Sequence, residues 1–170
     1  MFTAERQTLG GPDRKGYIVS NVTGSGSASL AGVSVAPMTV AEACFGIAQQ
    51  FMAGARVLAS APGCALTFAF VCGQISECFF KAFLSWKGVS ESTLRHQLGH
   101  DLSALRAMAV THGLAVDPTE PQWLTRLSSL HGRPFVLRYP VGLNGLVTPG
   151  PQPMLSDLEA LQELVRAARP

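Results

Sequence analysis

Apolar positions along this chain recur with the period of helices rather than the alternation of strands. From Thr39 onward Val40, Cys44, Ile47, Phe51, Ala55 and Leu58 step by four and three, the spacing of one helix face. Thr39-Val-Ala-Glu42 opens that helix as a T-x-x-E capping box, in which hydroxyl and carboxylate each satisfy a free backbone donor. Gly46, Ala48, Ala53 and Gly54 keep its other faces slim, so a neighbouring helix can approach closely. A second helix is expected over residues 64–87, through Leu66, Phe68, Phe70, Val71, Ile75, Phe79, Phe80, Phe83 and Trp86. Its first half is apolar all round, as in a helix central to a bundle or lying against a second subunit. Its second half carries one polar line, Gln74, Glu77 and Lys81, and Gly88 ends it at a C-cap position.

Shorter elements come next. Glu91–Leu98 reads as a short segment, and Leu102, Leu105, Met108 and Ala109 mark a helix from about His100 to His112. Pro121 opens another with Trp123, Leu127 and Leu130, and His112 and His131, each just before a glycine, read as C-terminal helix residues. Phe135 to Pro140 reads as extended, and Pro149, Pro151 and Pro153 as a loop. Ser156-Asp-Leu-Glu159 is a second capping box, for a terminal helix whose face is Leu158, Leu161, Val165 and Ala168. The whole predicts an all-α, up-and-down bundle of four or five antiparallel helices over residues 38–170. Residues 1–37 differ. Tyr17-Ile18-Val19 suits a short strand, but Gly24-Ser25-Gly26-Ser27-Ala28-Ser29 is linker composition, which predicts an arm that is flexible or docks on a partner.

Composition narrows the function classes. Of 170 residues, 14% are Asp, Glu, Lys or Arg, well below the usual quarter or so. Between Lys15 and Glu77 the only charges are Glu42 and Arg56, whereas residues 77–170 carry seventeen of nearly balanced sign. A disordered chain would be polar and charge-rich, and a net charge of +2 excludes nucleic-acid binding by bulk positive charge. Val57–Ser76 is uncharged, but Ser60, Pro62, Gly63, Thr67 and Gly73-Gln74 interrupt it, so no membrane span is expected. Pro62-Gly63 reads as a turn opening a helix. Glu5, Arg6, Asp13, Arg14 and Lys15 surround no apolar signal region, which predicts a cytoplasmic location and leaves the Asn21-Val-Thr23 sequon without meaning. Cys44, Cys64, Cys72 and Cys78 form no C-x-x-C pair and read as reduced, structural thiols.

The chemistry concentrates in Arg95-His96-Gln97-Leu98-Gly99-His100-Asp101, which holds half of the chain's histidines. On one unbroken helix Arg95 and His100 would face about 140° apart, since each residue turns about 100°. Gly99 lets the chain change direction, so that a new helix starts at His100 and offers its amides and dipole to an anion such as phosphate. That field disfavours imidazolium. A neutral histidine beside a fixed arginine suits phosphodiester cleavage: the imidazole moves a proton while the guanidinium holds phosphate oxygens. Arg95 is also spaced to pair with Glu91, and Glu77 with Lys81, each four residues apart. His96-x-x-x-His100 with Asp101 has metal-ligand character, but the Gly99 break spoils the shared face, so no metal and no cofactor are expected.

From Glu77 through Leu105 the sequence resembles the HEPN superfamily, whose mark is an arginine with a histidine four to six residues after it. Arg95 matches the arginine, His96 the polar position after it and His100 the histidine; Glu77 and Lys81 resemble the pattern near the end of the second helix. Arg138-Tyr139-Pro140 is similar to the segment after the fourth helix in some members. The resemblance spans roughly residues 39–168. It implies a HEPN-like bundle acting as a homodimer, with Arg95, His96 and His100 of both subunits forming a metal-independent endoribonuclease site. Asp101, Glu77, Lys81, Arg138 and Tyr139 would bind substrate or support the site. The histidine would assist attack of the RNA 2′-hydroxyl on the adjacent phosphate, leaving a 2′,3′-cyclic phosphate. A toxin or defence role is one implication. A non-catalytic module that binds a nucleotide or a protein partner, such as a nucleotidyltransferase, is the alternative. The surplus apolar surface of the first two helices is what a dimer interface would cover. Against RNA stands the lack of a basic run: Lys87, Arg95, Arg106, Arg126, Arg133 and Arg138 are scattered, and a dimer would have to gather them around one groove.

Overall fold

A computed structural model describes residues 39–139 and 146–170. The expected arm, with its strand and linker, and Pro140 of the Arg138-Tyr139-Pro140 segment lie outside these residues. The described chain is all-α, with no strand among the described residues.

Helix α1 (Val40–Leu58) is capped by Thr39, whose Oγ1 accepts from the Glu42 amide at 3.2 Å. The other half of the expected capping box is absent: the Glu42 carboxylate instead accepts from Arg169 Nη2 at 2.8 Å, joining the start of α1 to the chain end. The stripe α1 buries is Ala41, Phe45, Ala48, Met52 and Ala55. That is the expected face turned by roughly 80°, less than one residue's step. Val40, Ile47 and Phe51, expected inside, are 40%, 45% and 37% exposed. The physical reason is close approach. Three alanines let α1 lie tightly on α2, and Phe45 fills the remaining space with its ring 5.7 Å from Phe79 and 5.5 Å from Trp86.

Helix α2 (Ala65–Trp86) is the axis of the bundle and packs against α1, α3 (Leu102–Thr111), α4 (Gln122–His131) and α5 (Pro151–Ala167). It is the one described helix long and apolar enough to cross a membrane, yet 61% of its apolar window is buried by its neighbours. Phe68, Ile75, Phe79, Phe83 and Leu84 form the core with Met52, Leu102, Leu105, Leu124, Leu127, Met154 and Leu158. After α2 the amides of Gly88 and Val89 bond back to the carbonyls of Ser85 and Leu84, the Schellman pattern that Gly88 predicted.

The expected short segment is a π-helical turn, Thr93–Leu98, closed by the Gly99 amide on the Leu94 carbonyl at 3.1 Å. Three other expectations change. α3 begins at Leu102, with Asp101 as its N-cap accepting from the Ala104 amide at 3.0 Å, so His100 precedes the cap and lies outside the amide cone. Phe135–Arg138 is not extended: the Arg138 amide bonds the Phe135 carbonyl in a turn, with Phe135 at φ +61°. The expected 149–153 loop is cut short: Pro149 and Gly150 precede α5, Gly150 is its cap, and Gln152 is extended at φ −107° and ψ +135°, so the regular helix follows that kink. Proline suits a first turn because its missing N–H would lack a partner there anyway. Ser156 is therefore no cap; its hydroxyl donates to the Pro153 carbonyl at 2.7 Å, and Glu159 pairs with Arg56 Nε at 2.9 Å.

Candidate functional site

The site is organised by one buried carboxylate. Glu77 sits just past the middle of α2, and Lys81, one turn on, donates to its Oε1 at 2.6 Å. Its Oε2 receives two imidazoles: His100 Nδ1 at 2.8 Å and His131 Nε2 at 2.7 Å. His100 comes from the link between the π-helical turn and α3, His131 from the last residue of α4. One side chain thus ties together three elements that hydrophobic packing has already brought side by side.

Electrostatics keeps that carboxylate charged. Burial pushes the Glu77 carboxyl up, but the hydrogen bond from His131, the Lys81 charge and the hydrogen bonds from Lys81 and His100 outweigh it and bring it down to about 2. An ionised carboxylate only accepts, so both contacting ring nitrogens must carry the proton. Neutral His100 is therefore the Nδ1–H tautomer with a lone pair on Nε2, and neutral His131 the Nε2–H tautomer with a bare Nδ1. His131 is 1% exposed, and its Nδ1 is buried with no hydrogen-bond partner among the described residues. It lies against α2 at Gly73, where a Cβ would fall 2.5 Å from that nitrogen. Gly73 therefore serves close approach: no side chain fits between α2 and the ring.

His100 is a different case, half-buried and open to a groove of about 710 Å³. Gly99 lets the chain turn there, at φ +55° and ψ −114°, a conformation essentially restricted to glycine. Arg95, His96, Asp101, Ser128 and Arg133 line the same groove. Arg95 and His96 stand exposed on the π-helical turn, and the Arg95 side chain, 68% exposed, reaches Glu91 at 3.3 Å. Among the described residues His100 Nε2 makes no hydrogen bond. Phe135 meets the His100 ring edge-on, with centroids 5.3 Å apart.

The residues singled out from sequence thus fall into three groups. Arg95, His96 and His100 share the groove, with Glu77 and Lys81 behind His100. Asp101 also faces the groove, but its carboxylate caps α3 and accepts from Ser128 Oγ at 3.2 Å. Arg138 and Tyr139 are not brought in: Arg138 stacks over Phe135 and Phe70 at 5.3 and 5.9 Å, and Tyr139 is 67% exposed. His131 is the residue that sequence reasoning missed. The available signal was Gly73, a small residue one turn before Glu77 in a helix otherwise rich in large side chains.

Glu77, His100 and His131 also form the one metal-type donor set among the described residues, their ligand atoms lying within 4.8 Å of one another. The geometry is that of hydrogen bonds: nitrogen and oxygen are 2.7 and 2.8 Å apart with a proton between them. Around an ion at about 2.0–2.2 Å from each ligand they would stand further apart. Lys81 already supplies the positive charge at the other carboxylate oxygen. No family model, no curated protein and no solved structure matches this chain.

Proposed function

We propose that this chain is a HEPN-like, metal-independent endoribonuclease that works as a homodimer. The observation that carries this reading is the Glu77–His100 pair at the edge of a groove shared with Arg95, His96 and Arg133. A carboxylate on Nδ1 holds the imidazole with Nε2 as the free base, the orientation a general base requires. Nε2 takes the proton of an RNA 2′-hydroxyl as that oxygen attacks the adjacent phosphorus. The bond to the 5′-oxygen breaks, and that oxygen takes a proton from a second histidine, His96 or the other subunit's copy of His100. The products are a 2′,3′-cyclic phosphate and a 5′-hydroxyl. Arg95 and Arg133 hold the phosphate oxygens as negative charge grows on them. Pairing two grooves across a two-fold axis doubles the arginines on one phosphate, which supplies locally the positive charge that the sequence lacks overall. A toxin or defence role fits such an activity.

A second reading has its own support. Arg95 is engaged with Glu91 rather than held over the groove, as suits a non-catalytic module that binds a nucleotide or a protein partner such as a nucleotidyltransferase. The test is cleavage of single-stranded RNAs in EDTA by wild type and His100→Ala. The nuclease reading expects cyclic-phosphate ends from wild type and a loss of roughly 10²- to 10⁴-fold in the variant. No cleavage by wild type, equal cleavage by both, or cleavage that EDTA abolishes would overturn it.

A further inference from the structure

A pocket of about 510 Å³ opens among α2, α3, α4, α5 and the chain that joins α3 to α4, and it shares no residue with the His100 groove. Its volume lies within the range that bound small molecules occupy. The wall is mostly apolar, built by Phe80, Val116, Trp123, Leu124, Leu161 and Leu164. Set into that wall is Arg106, only 6% exposed.

A guanidinium carries five N–H donors on three nitrogens, and Arg106 commits one nitrogen to the protein. Nη2 holds the carbonyls of Asp117 and Thr119, while Nε and Nη1 make no hydrogen bond among the described residues. Those two nitrogens are not sealed in the core, where the unpartnered side-chain atoms are His131 Nδ1 and Gln162 Oε1. They are left to the pocket that Arg106 lines. The charge is unanswered too, since no carboxylate pairs with Arg106 among the described residues. The acids around it are engaged elsewhere. Asp117 accepts from the Thr119 amide at 2.7 Å, Glu120 takes the Ser103 and Thr125 hydroxyls at 2.8 and 2.7 Å, and Asp157 takes Trp123 Nε1 at 2.6 Å. A buried cation without a counter-ion is costly, and an anion seated beside it offsets that cost. Asp117 and Asp157 line the same pocket, so their charge opposes a second negative group on the ligand.

We propose that this pocket binds a small amphiphilic monocarboxylate. Its carboxylate accepts from Arg106 Nε and Nη1, and its apolar body lies against Trp123, Leu161 and Leu164. Charge-assisted hydrogen bonds select the acid end, and burial of the body adds affinity. Dicarboxylates and phosphate dianions fit less well. The proposal does not depend on the ribonuclease reading.

The test is titration of the full chain with octanoate and, in parallel, with octan-1-ol and suberate, the neutral and doubly charged molecules of the same length. Calorimetry reads affinity, and amide proton–nitrogen spectra read the place of binding. Octanoate should bind saturably and about 10- to 100-fold more tightly than either of the others, the margin of a hydrogen bond to a charged group. It should shift the amides of residues 115–119 and 157–164 and the Trp123 indole N–H, and leave the indole of Trp86, which packs on Phe45, unmoved. Arg106→Met should reduce octanoate to the level of octan-1-ol, with octan-1-ol binding kept as the sign that the pocket still forms. If that variant folds poorly, the comparison of ligands on the wild type decides the matter. 2-Naphthylacetate against its amide repeats that comparison with a flat body. Failure of both acids to saturate in the millimolar range, equal affinity for acids and neutral partners, an undiminished preference in Arg106→Met, or shifts confined to the His100 groove or to Ile47 and Phe51 would overturn it.

Discussion

Among the described residues two charged side chains are buried, Glu77 and Arg106, and the bundle treats them in opposite ways. Arg106, on α3, uses Nη2 to hold the carbonyls of Asp117 and Thr119, the second at 3.1 Å. It faces a largely apolar pocket of about 510 Å³ lined with Val116, Trp123 and Leu161. Its partners are backbone groups of one loop, so its work is to fix that loop. Glu77 is held by three side chains from three elements, and one of these, His100, opens onto a polar groove. Burial and charge are shared by both residues. A loop staple differs from a candidate reaction centre in that the Glu77 network ends on a titratable group with a free nitrogen toward solvent.

The comparison breaks first, and furthest, at Glu77. Glu77→Ala removes the carboxylate from two histidines and a lysine and should destabilise the chain by about 3–5 kcal/mol in urea unfolding. Acid tests the same residue without mutation. Its carboxyl is lowered from an ordinary 4.5 to about 2, so its stabilising contribution is complete above pH 4.5 and is lost as pH falls through about 2. That difference corresponds to about 3 kcal/mol. A urea midpoint that stays level between pH 5 and pH 2, once compared with Glu77→Gln, would contradict the network.

Smaller effects sharpen the contrast. Arg106→Met keeps volume and loses only two carbonyl bonds, so it should cost about 2 kcal/mol and loosen residues 117–119 in amide exchange, leaving the proposed RNA cleavage unchanged. Arg95→Ala removes an exposed pair and should alter stability by less than about 0.5 kcal/mol. On the proposed nuclease reading it should nevertheless slow RNA cleavage by about 10²-fold or more, as loss of a transition-state donor does. Equal kinetics for Arg95→Ala and wild type would favour the non-catalytic reading.

Much of the fold is legible in the sequence, and where it is not the reasons are physical. The α2 core and the Glu77–Lys81 pair follow from spacing within one helix, and the approach of Arg95 to His100 from a break at Gly99. The buried face of α1 departs from expectation because large apolar side chains mark a stripe conspicuously, whereas alanines decide where two helices can touch. The start of α5 comes earlier than expected because Pro151 and Pro153 read as loop together with Pro149, although proline is at home in a first helical turn. His131 is 54 residues from Glu77 on another helix, and no local pattern encodes a pairing at that distance. Only Gly73, the gap left for its ring, hints at it.

The central claim is that Glu77 holds His100 with Nδ1 protonated and Nε2 free over the groove. Long-range proton–nitrogen correlation of the imidazoles at alkaline pH reads this directly. The account predicts His100 as the Nδ1–H tautomer and His131 as the Nε2–H tautomer, with the His100 pattern lost in Glu77→Gln. A His100 ring protonated on Nε2 would contradict it, because the nitrogen facing the groove would then have no lone pair to accept a proton.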